Sequence, residues 1–220
     1  MCTYALSQLS EETLKALVTL HEDTGVSDKW RKMQIALTPE ENVWLNNIKS
    51  TLRDRQLVLM NEATLWARAI YPLLLLAEKD YIQAWAGVPL KATYAAFELE
   101  EEADGALAPS VGGRIQPPYL VVHEAKRGIN APNPQFQLYG EMLAAARLNW
   151  ENNAKPEQEI FGCYTVNDAW TFTRGVVNEI ESEKPTLHIE FGPVYNGILQ
   201  AERIVQILKS IVARHAKVST

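Results

Sequence analysis

The hydrophobic pattern opens with helices. Ser10-Glu-Glu-Thr13 followed by Leu14, Leu17 and Val18 predicts a first amphipathic helix, which Thr24-Gly-Val-Ser27 interrupts. Thr38-Pro-Glu-Glu41 has the form of a capping box with proline at the first helical position. It starts a second helix carrying Trp44, Leu45, Ile48 and Leu52, which fades at Arg53-Asp-Arg55. A third helix is expected from Glu62 to about Lys79, bent or split at Pro72.

The period then shortens. Leu90–Leu99 predicts a strand, Glu100-Glu-Glu102 an acidic corner, and Ala103–Ala108 a returning strand, with Pro109–Pro118 as a loop. Tyr119–Lys126 is the clearest strand, apolar first and polar at its end. Asn133-Pro134 caps a helix that runs to Asn149. Ile160–Val166 and Ala169–Arg174 form a hairpin around Asn167-Asp168, and Ile198–His215 is an amphipathic tail helix. The order ααα-βββ-α-ββ-α gives an α/β (α+β) fold: a central mixed sheet flanked by helices. The expected division is an N-terminal helical extension over 1–55 and a second domain over 56–220 that includes the tail helix.

Composition narrows the function. The chain has 220 residues, is 47% hydrophobic and 22% charged, and can bury a sizeable core. Its longest apolar run, Ala69–Ala77, falls short of the ~20 residues of a membrane span. The first residues lack the basic and apolar regions of a signal peptide, and only Cys2 and Cys163 are cysteines. A cytoplasmic protein without disulfides or paired-cysteine zinc sites, making no use of a membrane, is expected. A formal net charge of −6 argues against holding nucleic acid by bulk electrostatics. Trp44 and Trp66 sit at helical core spacing and read as packing, as does Cys163 in its strand.

The chemistry gathers at the polar end of the Tyr119–Lys126 strand. Glu124 and Lys126, two residues apart, share one face of it. They are either an ion pair or a metal ligand beside a group that orients water. Acid-x-Lys occurs once in the chain, where chance gives ~1.4, so the tripeptide alone decides nothing. Its company matters more: Asp104 lies in the preceding strand and Gln137 in the first turns of the following helix. Glu98, Glu100, Glu101 and Glu102 are rival acids to Asp104. His123 falls on the other strand face and reads as structural or surface.

Ala103-Asp-Gly105, Tyr119-Leu-Val-Val-His-Glu-Ala-Lys-Arg127 and Gln137-Leu-Tyr-Gly-Glu141, with Glu62 in the leading helix, resemble the PD-(D/E)XK nuclease superfamily. The likeness is to the nuclease domain of type I restriction subunits and to small bacterial nuclease-like proteins, and it spans about Glu62 to Arg174. It implies a restriction-endonuclease-like αβββαβ core and Mg²⁺- or Mn²⁺-assisted hydrolysis of DNA phosphodiester bonds. Asp104, Glu124 and the Ala125 backbone carbonyl would hold the metal, and Glu62 would reach it through water. Lys126 would position the attacking water or offset charge, and Gln137 would orient water or Lys126.

Between Lys91 and Arg174, seven basic residues face eleven acidic ones. DNA binding is therefore expected to be weak unless a homodimer or partner protein supplies positive surface; an exposed stripe on the tail helix would suit a dimer. The other readings are a catalytically silent nuclease-fold interaction partner and a metal-dependent phosphohydrolase for small nucleotides.

Overall fold

The apolar run after Tyr119 builds the strand on which the site depends, β6 (Val121–Lys126), whose first five residues are all buried. The computed structural model describes residues 1–126 and 133–215, apart from the side chain of residue 58; Arg127, at the end of the sequence motif, lies outside them. On one side β6 pairs antiparallel with β4 (Phe97–Val111), and on the other it runs parallel to β7 (Gln158–Val166). A parallel pair cannot be closed by a tight turn, and α5 (Pro134–Asn153) lies in the crossover between them.

Beyond β7 the sheet continues antiparallel through β8 (Ala169–Asn178) and β9 (Thr186–Asn196), as far as the parallel strand β2 (Thr19–Val26). Beside β4 lie β3 (Ile82–Thr93) antiparallel, β1 (Cys2–Tyr4) parallel, and β5 (Arg114–Ile115). The architecture is thus mixed α/β, a central mixed sheet flanked by helices.

Two apolar layers hold it. On one face α2 (Pro39–Leu52), the helical run Glu62–Leu75 and α6 (Ala201–Ala213) pack Leu45, Ile48, Ile70, Leu74, Leu208 and Ile211 onto Val121, Phe161 and Phe172. On the other, α1 (Glu11–Leu17) and α5 pack Leu14, Leu138 and Met142 onto Val122, Ile160 and Ile189. The apolar stripe of α6 is spent in the first of these layers and does not form the exposed dimer surface expected of it. The capping box at Thr38 forms as expected, with Thr38 Oγ1 accepting from Glu41 N and Glu41 Oε2 from Thr38 N. Trp44, expected in the core, is 45% exposed.

Three local features depart from the sequence pattern. The β3–β4 turn falls at Tyr94–Ala96, so the acids expected at a corner instead lie inside β4. There Glu98, Glu100 and Glu102 alternate with the buried Phe97, Leu99 and Ala103. The first 55 residues, expected to be helical, also supply β1 and β2 to the sheet. The helix across Pro72 is neither bent apart nor unbroken: α3 (Glu62–Leu65) widens into a π turn over Trp66–Ile70 and resumes as α4 (Tyr71–Leu75). Proline lacks an N–H and crowds the carbonyl four residues back, and the wider turn relieves both.

The parity of the β3–β4 hairpin changes at Gly87. On its inner half Ala84 and Leu107 face the α6 layer; on its outer half Val88, Leu90, Ala103 and Leu99 face the α5 layer. Gly87 takes a left-handed φ of 61° at the switch, opposite Asp104, and a Cβ there would meet Glu102 Oε1 at 3.1 Å. Gly105 is excluded from carrying a side chain more severely, since a Cβ would run into the Trp66 ring. Among the described residues no helix is long and apolar enough to cross a membrane.

His123 is structural and fully buried. Its ring lies between Trp66 and Trp170, with centroids 5.2 Å from each. Neither ring nitrogen bonds to another residue, and burial drives its pKa down to about 3. The folded protein therefore binds fewer protons here than the unfolded chain below pH 6.5, and stability is lost as pH falls from there toward 3. His123→Phe should unfold later than wild type, with the gap widening by about 2 kcal/mol between about pH 7 and about pH 5. Thermal unfolding across that range checks this; a gap independent of pH would contradict it.

Candidate active site

Strands β4 and β6 pair at Leu107–Val121, Ala106–Val122 and Gly105–His123, and there the ladder stops. One step further, Asp104 stands opposite Glu124. The two are near enough for the Asp104 charge to act on the Glu124 carboxyl. Where a backbone carbonyl would have continued the ladder, Asp104 Oδ2 accepts the Ala125 N–H at 2.7 Å. The Ala125 carbonyl leaves the same edge of β6 as its N–H, which turns it toward Asp104.

Glu124 is almost wholly buried and ion-paired through Oε1 with Lys126 Nζ. A second carboxyl reaches it from α5: Glu141, fully buried, hydrogen-bonds Glu124. One turn back on that helix, Gln137 Nε2 lies 3.4 Å from Glu141 Oε1. Gln137 is therefore placed on Glu141, not directly on Lys126. The result is a chain of side chains, Gln137–Glu141–Glu124–Lys126, running from helix to strand end.

Burial governs the charges in it. Loss of water, then repulsion from Asp104, pushes the Glu124 carboxyl up to about 7. Glu141 rises well above the carboxylate range through burial and through Glu124, so it holds a proton and donates it to Glu124. Asp104 is also raised, by burial first and then by Glu62 and Glu102, against the pull of the Ala125 N–H and Lys126. For Lys126 burial acts downward, but its bond to Glu124 and the charges of Glu124, Glu62 and Asp104 outweigh it. The Lys126 pKa is raised, and the side chain is an ammonium at neutral pH rather than a base.

A cleft of 250 Å³ opens on this strand end, lined by Glu62, Ala63, Trp66, Gly87, Glu102, Asp104 and Ala125. Glu62, the first residue of α3, lines this cleft together with Asp104. The rival acids sort themselves by their partners. Glu98 is bonded to Thr3 and Thr93, Glu100 pairs with Lys91, and Glu101 accepts from Ser7 N and Oγ. Only Glu102 shares the cleft.

Sequence reasoning named two residues of this site without giving them a role in it: Glu102 stood as a rival to Asp104, and Glu141 closed the helix motif. Glu102 is two positions from Asp104 on the same strand face, and Glu141 is four from Gln137 on the same helix face; both spacings were visible. Among the described residues no group of three or more His, Cys, Asp or Glu side chains is arranged to hold a metal ion. Two carboxylates and a carbonyl remain, a set that suits a hard cation keeping several of its waters. No family model matches the chain, and no curated protein matches it.

The raised carboxyls carry a stability cost with a definite sign. A carboxyl with a raised pKa binds more protons in the folded than in the unfolded state, so its contribution falls as pH rises from 4.5 through the folded value. Glu141→Gln keeps a donor to Glu124 without a titrating group. It should be more stable than wild type at about pH 8, by roughly 1–3 kcal/mol, and nearly equal at about pH 5. Denaturant unfolding at both pH values tests this; equal destabilisation at both would contradict it.

Proposed function

We propose that this protein is a metal-dependent nuclease of the PD-(D/E)XK type, hydrolysing phosphodiester bonds in DNA. The observation that carries the reading is the end of the β4–β6 ladder, where Asp104 from one strand meets Glu124 and Lys126 from the next. The element order supports it: the Glu62–Leu75 helical run, β3, β4, β6, α5 and β7 follow the α-β-β-β-α-β sequence of a restriction-endonuclease-like core.

The donor set fits Mg²⁺ or Mn²⁺. Asp104 and Glu124 are two carboxyls held above their usual pKa by burial and by neighbouring acids, Glu62 and Glu102 for the first and Asp104 for the second, a cost that a cation between them would relieve. Together with the Ala125 carbonyl they would hold the ion, and Glu62 would reach it through water. When bound, such an ion lowers the pKa of a water and neutralises charge on the phosphoryl oxygens.

The chain's own residues would do the rest. Lys126, kept as an ammonium by Glu124, hydrogen-bonds the attacking water or a phosphoryl oxygen and offsets charge that grows in the transition state. Glu141, protonated and walled in by α5, fixes the Glu124 carboxylate by donating to it. Gln137 holds Glu141 in turn, so both act on position rather than on the substrate. Water adds to phosphorus and releases a proton to solvent, the P–O bond on the opposite side breaks, and the leaving oxygen takes a proton from solvent.

The test is incubation of linear, circular and single-stranded DNA with the protein and Mg²⁺ or Mn²⁺. Cleavage should vanish in EDTA and fall at least about a hundredfold in Lys126→Ala, Asp104→Asn and Glu124→Gln. Cleavage that survives Lys126→Ala would contradict this assignment. No cleavage of any substrate, together with a specific complex with another protein, would favour a catalytically silent nuclease-fold partner.

A further inference from the structure

A cleft of 640 Å³ lies away from the carboxylates, where α2 packs beside the π turn. Trp44, Asn47, Arg53, Arg55, Arg68 and Leu75 are among the residues that line it, and none of its lining residues is acidic. The chain from Asn42 to Ala77 carries four basic and two acidic residues, reversing the charge balance of the whole molecule. Asp54, the acid between two of the arginines, takes a left-handed φ of 60° and is not part of the lining.

Arg53, Arg55 and Arg68 form no ion pair or side-chain hydrogen bond among the described residues; the guanidiniums of Arg174 and Arg147, by contrast, are engaged with carboxylates. Trp44, 45% exposed, stacks on no other ring among the described residues. Three unpaired guanidiniums supply the planar donors that recognise phosphate oxygens, and an open indole supplies a face for a planar ring. The volume is that of a small-ligand site, about 300–1,000 Å³.

We infer that this cleft binds a nucleotide unit, with its phosphate on Arg53, Arg55 and Arg68 and its base on Trp44. Two sources share that chemistry, a free mononucleotide and a residue within a strand. The fold sets the second in a particular relation to the carboxylates. Arg68 follows Glu62 six positions later on the same helical run, and that run lines both clefts. Positive surface lacking around Asp104 and Glu124 is thereby supplied by the N-terminal third of the same chain. Binding here needs neither a metal nor bond cleavage, so it stands or falls separately from the proposed hydrolysis.

The experiment is equilibrium binding in EDTA of adenosine monophosphate and of a labelled oligothymidylate of about ten nucleotides. Arg53→Ala, Arg55→Ala, Arg68→Ala, their triple combination and Trp44→Ala are compared with wild type, all with unchanged circular dichroism. Each arginine variant should weaken binding about tenfold and Trp44→Ala by at least about fivefold. The salt slope of oligonucleotide binding, about −2 in wild type, should approach zero in the triple variant. Saturation by the mononucleotide identifies a free-nucleotide site, and saturation by the oligomer alone a strand site; either supports the inference. Wild-type affinity in the triple variant overturns it. So does failure of both probes to saturate, or competition by inorganic polyphosphate that is equally strong in Trp44→Ala, which would mark a plain polyanion surface.

Discussion

Strands β4 and β6 part after Gly105 and His123, and the candidate chemistry exists because of that parting. A continuing ladder would have spent the Ala125 N–H on a carbonyl and left Asp104 one more residue on a covered face. The parting has a cause in β3 and β4. Gly87 adopts a conformation that side chains resist, and the inward parity of the hairpin changes there. Gly105 lets the Trp66 ring lie against the strand, which closes the sheet immediately behind the site. Asp104 is left at the one position between the two packing layers.

Holding carboxyls in such a place is costly, and the surrounding layers offset the cost. Asp104, Glu124 and Glu141 bring three carboxyls together, and one proton and one ammonium compensate them only in part. Apolar residues of α5 and the sheet enclose Glu124 and Glu141, so neither can relax into water. A structure that needed only an ion pair would be more stable with apolar residues in these positions. Raised pKa values concentrated at a strand end beside an open cleft are what a site awaiting positive charge presents.

Much of this was legible in the sequence. Tyr119–Lys126 declares its strand through an unbroken apolar run that turns polar at its end, and α5 through Asn133-Pro134. The Asn167-Asp168 hairpin and the Thr38 capping box are equally local, resting on turn and cap chemistry within a few residues. Other features are not local. The acids at 98–102 suggested a corner because charge density marks turns in general; here they alternate with buried Phe97 and Leu99, and only the partners Thr3, Ser7 and Lys91 explain them. Strands β1 and β2 were missed because each takes its pairing from a strand far along the chain. Trp44 keeps core spacing yet stays half exposed, since α2 rotates to bury Leu45 and Ile48 instead.

The central claim is that Asp104 and Glu124 share one divalent cation. Titrating Mn²⁺ into the protein and following the free ion by electron paramagnetic resonance measures this without reference to any substrate. The account predicts one saturable ion per chain in wild type, lost in both Asp104→Asn and Glu124→Gln and retained in Arg68→Ala. Equal Mn²⁺ binding in wild type and in the two carboxylate variants would contradict it.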